Sequence, residues 1–148
     1  MSKSAHQPDG YQSVIPYLHV NGAAQLIAFM KEAFDATEIA VYPRPDGTIG
    51  HAALRIGDSV VELADVSPEW PAMPCALQSY VPDADAAYHR ALKAGATRCW
   101  SQPNSSMATE LPASAMALAT TGYIATQMEV VSREEVDKRL AAMAQHKE

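Results

Sequence analysis

Seven side chains offer most of the binding chemistry in this 148-residue chain: Tyr17, His19, Glu62, Gln78, Tyr80, Tyr123 and Gln127. Their spacing is even-numbered within each local group, which places Tyr17 with His19, Gln78 with Tyr80, and Tyr123 with Gln127 on common faces of extended chain. Phenols, amides, an imidazole and one carboxylate can hold a small organic molecule by ring contact and hydrogen bonds. His19 reads either as a general base or second-choice ligand, or as a hydrogen-bonded histidine lining a cavity. Glu62 reads as a site carboxylate or as the partner of a nearby arginine, Arg55. His51 begins a strand and reads as edge-exposed. Trp70, among prolines, is a lid over core or a ligand platform. His89 falls on the polar side of a helix and is expected to be solvated.

The elements that would carry these residues follow from periodicity. Val14 to Val20 alternates at period two, and after Asn21-Gly22 the period becomes helical, with Ala23, Ile27, Met30 and Phe34 in one stripe beside Leu26, Phe29 and Ala33. The helix is expected to stop near Asp35. Glu38 to Pro43 reads as a strand, Pro45-Asp46-Gly47 as a turn, and Ile49–Ile56 and Ser59–Asp65 as a hairpin about Gly57-Asp58. Pro68, Pro71 and Pro74 then mark a linker. Beyond it, Leu77 to Val81 is a strand, Pro82-Asp83 opens a helix and Gly95 closes it. Asp35-Ala36-Thr37 and Gly95-Ala96-Thr97 end the two helices alike, so the strand-helix opening is duplicated. Ser132 and Glu135 form a capping box for a last, charged helix reaching about Gln145. The organisation expected is a loose tail at 1–12, one domain at 13–140 built of modules 14–65 and 75–131, and a C-terminal helix at 132–146.

Composition narrows the partners. The net charge of −6, without a basic cluster, argues against nucleic acid and favours a cationic or neutral small ligand. No apolar run reaches the roughly 18 residues of a membrane span, so no membrane partner is expected. The opening MSKSAHQPDG lacks the apolar core of a signal peptide, and the expectation is a cytoplasmic protein. Cys75 and Cys99 lack C-x-x-C spacing and read as small buried residues. With 48% apolar residues the chain can fill one core.

The stretches PYLHVNGAAQLIAFMKEAF, YPRPDGTIGHAALRIGDSVVELAD and YVPDADAAYHRALKAGAT together resemble the glyoxalase/bleomycin-resistance, or vicinal oxygen chelate, superfamily, in particular its PhnB-like branch. The resemblance implies an α+β fold in which two βαβββ modules form a curved mixed sheet around a cavity, usually at the interface of a homodimer. It also implies a divalent metal in several members. At the positions matching the ligands of such members stand Ile15, Glu62, about Ala76, and Tyr123. Glu62 alone is an ordinary ligand, so the expectation is no metal cofactor. Tyr17 and His19 share the face of Ile15, Gln78 and Tyr80 that of Ala76, and Gln127 that of Tyr123. Two functions follow from the resemblance: binding of a small organic ligand without metal, or a metal-dependent lyase, isomerase or dioxygenase of the glyoxalase type. Ligand count favours the first.

Pro103 to Thr121 departs from the branch, which carries a Gly-Asp-Arg turn and an Asp-x-Phe-Gly-Asn turn in this region. A permitted codon series read from the third nucleotide of the Pro103 codon gives E-Q-F-Y-G-D-R and then V-R-D-G-F-G-N. Met107-Ala108 and Met116-Ala117 each force a glycine codon in that shifted frame. A compensated frameshift is the expectation for this segment, together with a strand of altered register or a disordered loop.

Overall fold

The computed structural model describes residues 6–73, 75–101, 106–110, 121–125, 133–134, 137–138 and 141. The first module runs β1 (Tyr17–Val20), α1 (Ala23–Phe34), β2 (Thr37–Pro43), β3 (Ile49–Ile56) and β4 (Ser59–Asp65). The second repeats it as β5 (Ala76–Tyr80), α2 (Ala84–Lys93), β6 (Thr97–Ser101), β7 (Ser106–Glu110) and β8 (Thr121–Ala125). Each module builds a four-stranded mixed sheet, in the orders β1-β4-β3-β2 and β5-β8-β7-β6. In both, the first strand pairs in parallel with the last, which therefore lies inside the sheet although it comes last in the chain.

The switch from strand to helix after Val20 is made by Gly22, whose φ of 83° suits a residue without Cβ. Gly22 has no side chain with which to cap α1. The cap comes instead from β4: Asp65 Oδ1 accepts from the backbone N–H groups of Gly22 and Ala23, both at 2.9 Å, and Oδ2 accepts from Ile49 at 2.7 Å. One carboxylate thus fixes α1, β3 and β4 together and complements the positive end of the helix. The other helix is capped locally, by Asp83 accepting from Ala86 N–H at 2.9 Å.

The predicted stripe of α1 is the buried one: Ala23, Leu26, Ile27, Phe29, Met30 and Ala33 are inside, with Phe34 partly so. It lies on Leu18 and Val20 of β1, Ala52 and Leu54 of β3, and Val61 and Leu63 of β4. Ala87, Tyr88 and Ala91 of α2 join the same core, so the two helices pack against each other. Burying a residue such as Leu26, Leu54 or Leu63 contributes about 1.5–3 kcal/mol. Arg90 of α2 reinforces the contact, its Nε donating to Ala33 O at 3.3 Å and its guanidinium lying 3.7 Å from Asp35.

The helix ends confirm the duplication. Asp35 and Gly95 both have positive φ, 53° and 108°, and after α2 the N–H groups of Gly95 and Ala96 turn back to Leu92 O and Ala91 O. The turn at 45–47 also forms as expected. Gly47 takes φ 87°, and Asp46 accepts from the N–H and hydroxyl of Thr48, bonds that hold its carboxyl below the usual value.

Two local expectations are corrected. The last residues of the tail are not loose: Gln12 lies beside β4, donating to Val60 O at 2.6 Å and accepting from Val60 N at 2.9 Å, and Gly10 O accepts from Arg55 at 2.9 Å. The regular part of β1 begins at Tyr17 rather than Val14, since the Gln12 side chain already occupies the pairing groups of Val60 and Pro16 brings no N–H. Within Pro103 to Thr121, Ser106–Glu110 forms β7 in register with β6 and β8, while residues 103–105 and 111–120 lie outside the described residues. The same holds for Ser132 and Glu135 of the capping box. The described residues nearby, 133–134, 137–138 and 141, are helical, and Arg133 pairs with Asp137 one turn on at 3.8 Å.

Candidate functional site

The face of the first sheet turned away from α1 carries the site. Tyr17 of β1 is in register with Glu62 of β4, which is opposite Ala53 of β3, and His51 of β3 is opposite Tyr42 of β2. His19 pairs with Ala64. The small side chains of Ala53 and Ala64 are buried here, a floor above which the larger rings stand.

Five rings run in unbroken sequence across this floor. Trp70 stacks on His19 with centroids 5.4 Å apart and planes within 10°. His19 lies 5.0 Å from Tyr17, Tyr17 5.8 Å from His51, and His51 6.1 Å from Tyr42. Trp70 arrives from the proline-rich segment, where reciprocal backbone hydrogen bonds with Ser67, each 3.1 Å, close a tight turn. Trp70 is 62% exposed with its ring stacked on His19, so it does not close over the core.

Between the rings lies a polar line. Tyr17 Oη is 3.2 Å from His51 Nδ1, and His51 Nε2 is 3.9 Å from Glu62 Oε1. The carboxylate beyond favours a proton on Nε2, which leaves Nδ1 to accept from the phenol. Burial raises the pKa of Tyr17 above 10.0, the Glu62 charge raises it further, and Arg44 opposes the shift. The phenol is therefore a hydrogen-bond donor at neutral pH. His19 Nδ1 is buried with no hydrogen-bond partner among the described residues. Arg44 donates to Asp65 O and Thr48 Oγ1, both at 3.2 Å.

Of the seven residues singled out by sequence, Tyr17, His19 and Glu62 come together here. Gln78 and Tyr80 do not join them within the chain. They line a separate cleft of about 1000 Å³ with Val14, Phe34, Val61 and Arg90. Tyr123 is in register with Gln78 across β5 and β8. Gln127 lies outside the described residues. Arg55, expected beside Glu62, turns to Gly10 instead, and Glu62 faces His51. Sequence reasoning left out Tyr42 and treated His51 as a bare strand edge. Both flank the turn at 45–47, so counting hairpin pairs outward from it would have set them opposite each other, apart from one bulge. Asp65 was also missed, since a carboxylate at a strand end does not announce that it caps a helix more than forty residues earlier.

Comparison with known proteins accords with this architecture. An uncharacterized protein of Mycobacterium tuberculosis is 39% identical over 111 residues, which cover 63% of this chain and 65% of the relative. The chain thus spans just under two thirds of the curated relatives it first matches. Among solved structures, a gene product of Arabidopsis thaliana superposes with a TM-score of 0.62 at 19% identity, over 78% of this chain and 98% of that one. A PhnB protein from Bacillus cereus gives 0.53 at 17% identity, over 78% and 99%. TnmS3, an antibiotic binding protein from a Streptomyces species, gives 0.56 at 15% identity, over 78% and 98%. At these identities the likeness is one of fold. The family model of the glyoxalase/bleomycin resistance protein/dioxygenase superfamily matches residues 14–147, and the chain belongs to that superfamily.

Proposed function

We propose that this protein binds a small organic molecule on the ring-lined face of its first sheet, without a metal centre, and that it acts as a cytoplasmic homodimer. The observation carrying this reading is the ribbon of five rings with the Glu62 carboxylate set among them. Exposed rings over a rigid floor offer apolar contact area at little entropic cost, and Tyr17, His51 and Glu62 add directed polar contacts.

The divalent ion known in several members fits these residues poorly. Among the described residues no three His, Cys, Asp or Glu side chains are grouped so as to hold a cation. Glu62 has His51 nearby, while Tyr17 is held as a neutral phenol, a poor ligand. The metal-dependent lyase, isomerase or dioxygenase reading is therefore the weaker one. The second module supplies Gln78 and Tyr80, and in this reading a second copy would bring that face over the first module's. No described helix is long and apolar enough to cross a membrane.

Elemental analysis combined with a ligand screen tests the reading. Protein purified without chelator is expected to hold well under one equivalent of zinc, nickel, iron or manganese. Fragments that shift the Trp70 indole resonance are expected to bind equally well with and without EDTA. A stoichiometric metal that disappears in Glu62→Ala would overturn it.

A further inference from the structure

Resting on the binding reading above, we infer that the occupant of the ring-lined face is an organic cation, a compact ammonium group seated against Tyr17 and Trp70 beside Glu62. Three features converge on that chemistry. The first is ring geometry. Trp70, His19, Tyr17, His51 and Tyr42 form a continuous wall with neighbouring centroids 5.0–6.1 Å apart. Trp70 and Tyr17 are 62% and 41% exposed, so both can be reached by an incoming group. Aromatic faces attract cations held within about 6 Å of the ring centroid, tryptophan most strongly.

The second is a carboxylate whose partner among the described residues is a histidine, not a lysine or arginine. Glu62 sits among these rings, and its nearest basic group is the His51 imidazole at 3.9 Å. Neither a lysine nor an arginine is ion-paired with it among the described residues. A mostly covered carboxylate without a permanent cation leaves the local charge unbalanced.

The third is the sign of the field at the wall. Arg44 is a cation that acts on Tyr17, and its guanidinium donates to Asp65 O and Thr48 Oγ1. At the Tyr17 oxygen the influence of Glu62 exceeds that of Arg44. At Tyr17 the carboxylate thus outweighs the guanidinium, and the whole chain carries a net charge of −6, which favours cations over anions.

The experiment compares choline with 3,3-dimethylbutan-1-ol, its neutral isostere, by calorimetry and by the indole resonances of full-length protein. Trp70→Phe assigns the Trp70 signal apart from Trp100. Choline is expected to bind and to shift the Trp70 resonance, the isostere to bind at least roughly tenfold more weakly. Glu62→Gln, which keeps the shape of the side chain, is expected to weaken choline roughly tenfold and leave the isostere unchanged. Equal binding of both compounds, or a Glu62→Gln effect equal for both, overturns the cation inference while leaving a neutral binding face intact. If neither binds but a neutral or anionic fragment shifts Trp70, the cation inference falls alone. If no fragment of any charge shifts Trp70, the inference and the binding reading fall together.

Discussion

Tyr17 is the residue through which the charge state of the site can be read. Its phenol is pushed above its ordinary value of 10.0 by burial first and by Glu62 second, with Arg44 pulling the other way. An ultraviolet titration should show a tyrosine step above pH 10 that is absent in Tyr17→Phe. In Glu62→Gln that step should move down toward, but not reach, the ordinary range, because burial remains. The sign of the linked stability follows. The unfolded phenol ionises first, so this contribution is complete below pH about 10 and is lost as pH rises beyond it. Unchanged titration in Glu62→Gln would show that the carboxylate does not sense the phenol. The pair was half legible beforehand. Alternation put Tyr17 and His19 on one face, but pairing Tyr17 with Glu62 needs a parallel register between strands separated by a helix and a hairpin, and sequence periodicity carries no such information.

At the scale of elements, the Asp65 carboxylate is the clearest joint. Asp65→Ala leaves three backbone N–H groups without their acceptor and should cost about 1–3 kcal/mol in chemical denaturation, with Asp65→Asn intermediate. A loss no greater than that of an ordinary surface substitution would mean that water caps α1 as well as the carboxylate does. Asp35 holds the left-handed position that Gly95 holds in the duplicate, so Asp35→Gly relieves backbone strain while giving up an exposed pair with Arg90. The expected balance is a gain of up to about 1 kcal/mol. The element order was readable because each helix and hairpin announces itself over a short window. The α1 stripe, the turn at 45–47 and the matched helix ends all appear where periodicity and turn chemistry put them. Element edges were less readable, since the start of β1 depends on the Gln12 side chain reaching β4 from outside the regular pairing.

For the whole molecule, the central question is what covers the open faces of two sheets. Among the described residues the outer strands, β1 and β2 in one sheet and β5 and β6 in the other, pair on one side each. Exposed edges and exposed rings together favour self-association. Sedimentation at micromolar concentration is expected to give a homodimer, and a monomer there would contradict it. The segment from Pro103 to Thr121 bears on the same question. Replacing it with the shifted-frame sequence, which carries glycines, should raise the melting temperature; no change would mean that the present residues pack equally well.

The parallel pairing of β1 with β4 also orders events in time. The pair Tyr17 and Glu62 is separated by the helix and two intervening strands, and β4 must slide between β1 and β3 to complete the sheet. Local pieces, α1 and the hairpin of β3 and β4, can form early, whereas the parallel seam closes a long loop and comes late. In pulse-labelled refolding, the Glu62 and Val66 amides, which bond to Pro16 O and Val20 O, should gain protection after those of the hairpin. Until that seam zips, α1 also lacks its cap, because the carboxylate that supplies it rides in on the same strand. A nascent chain thus acquires its ring-lined surface and its helix anchor in a single step, and any partly folded form lacks both.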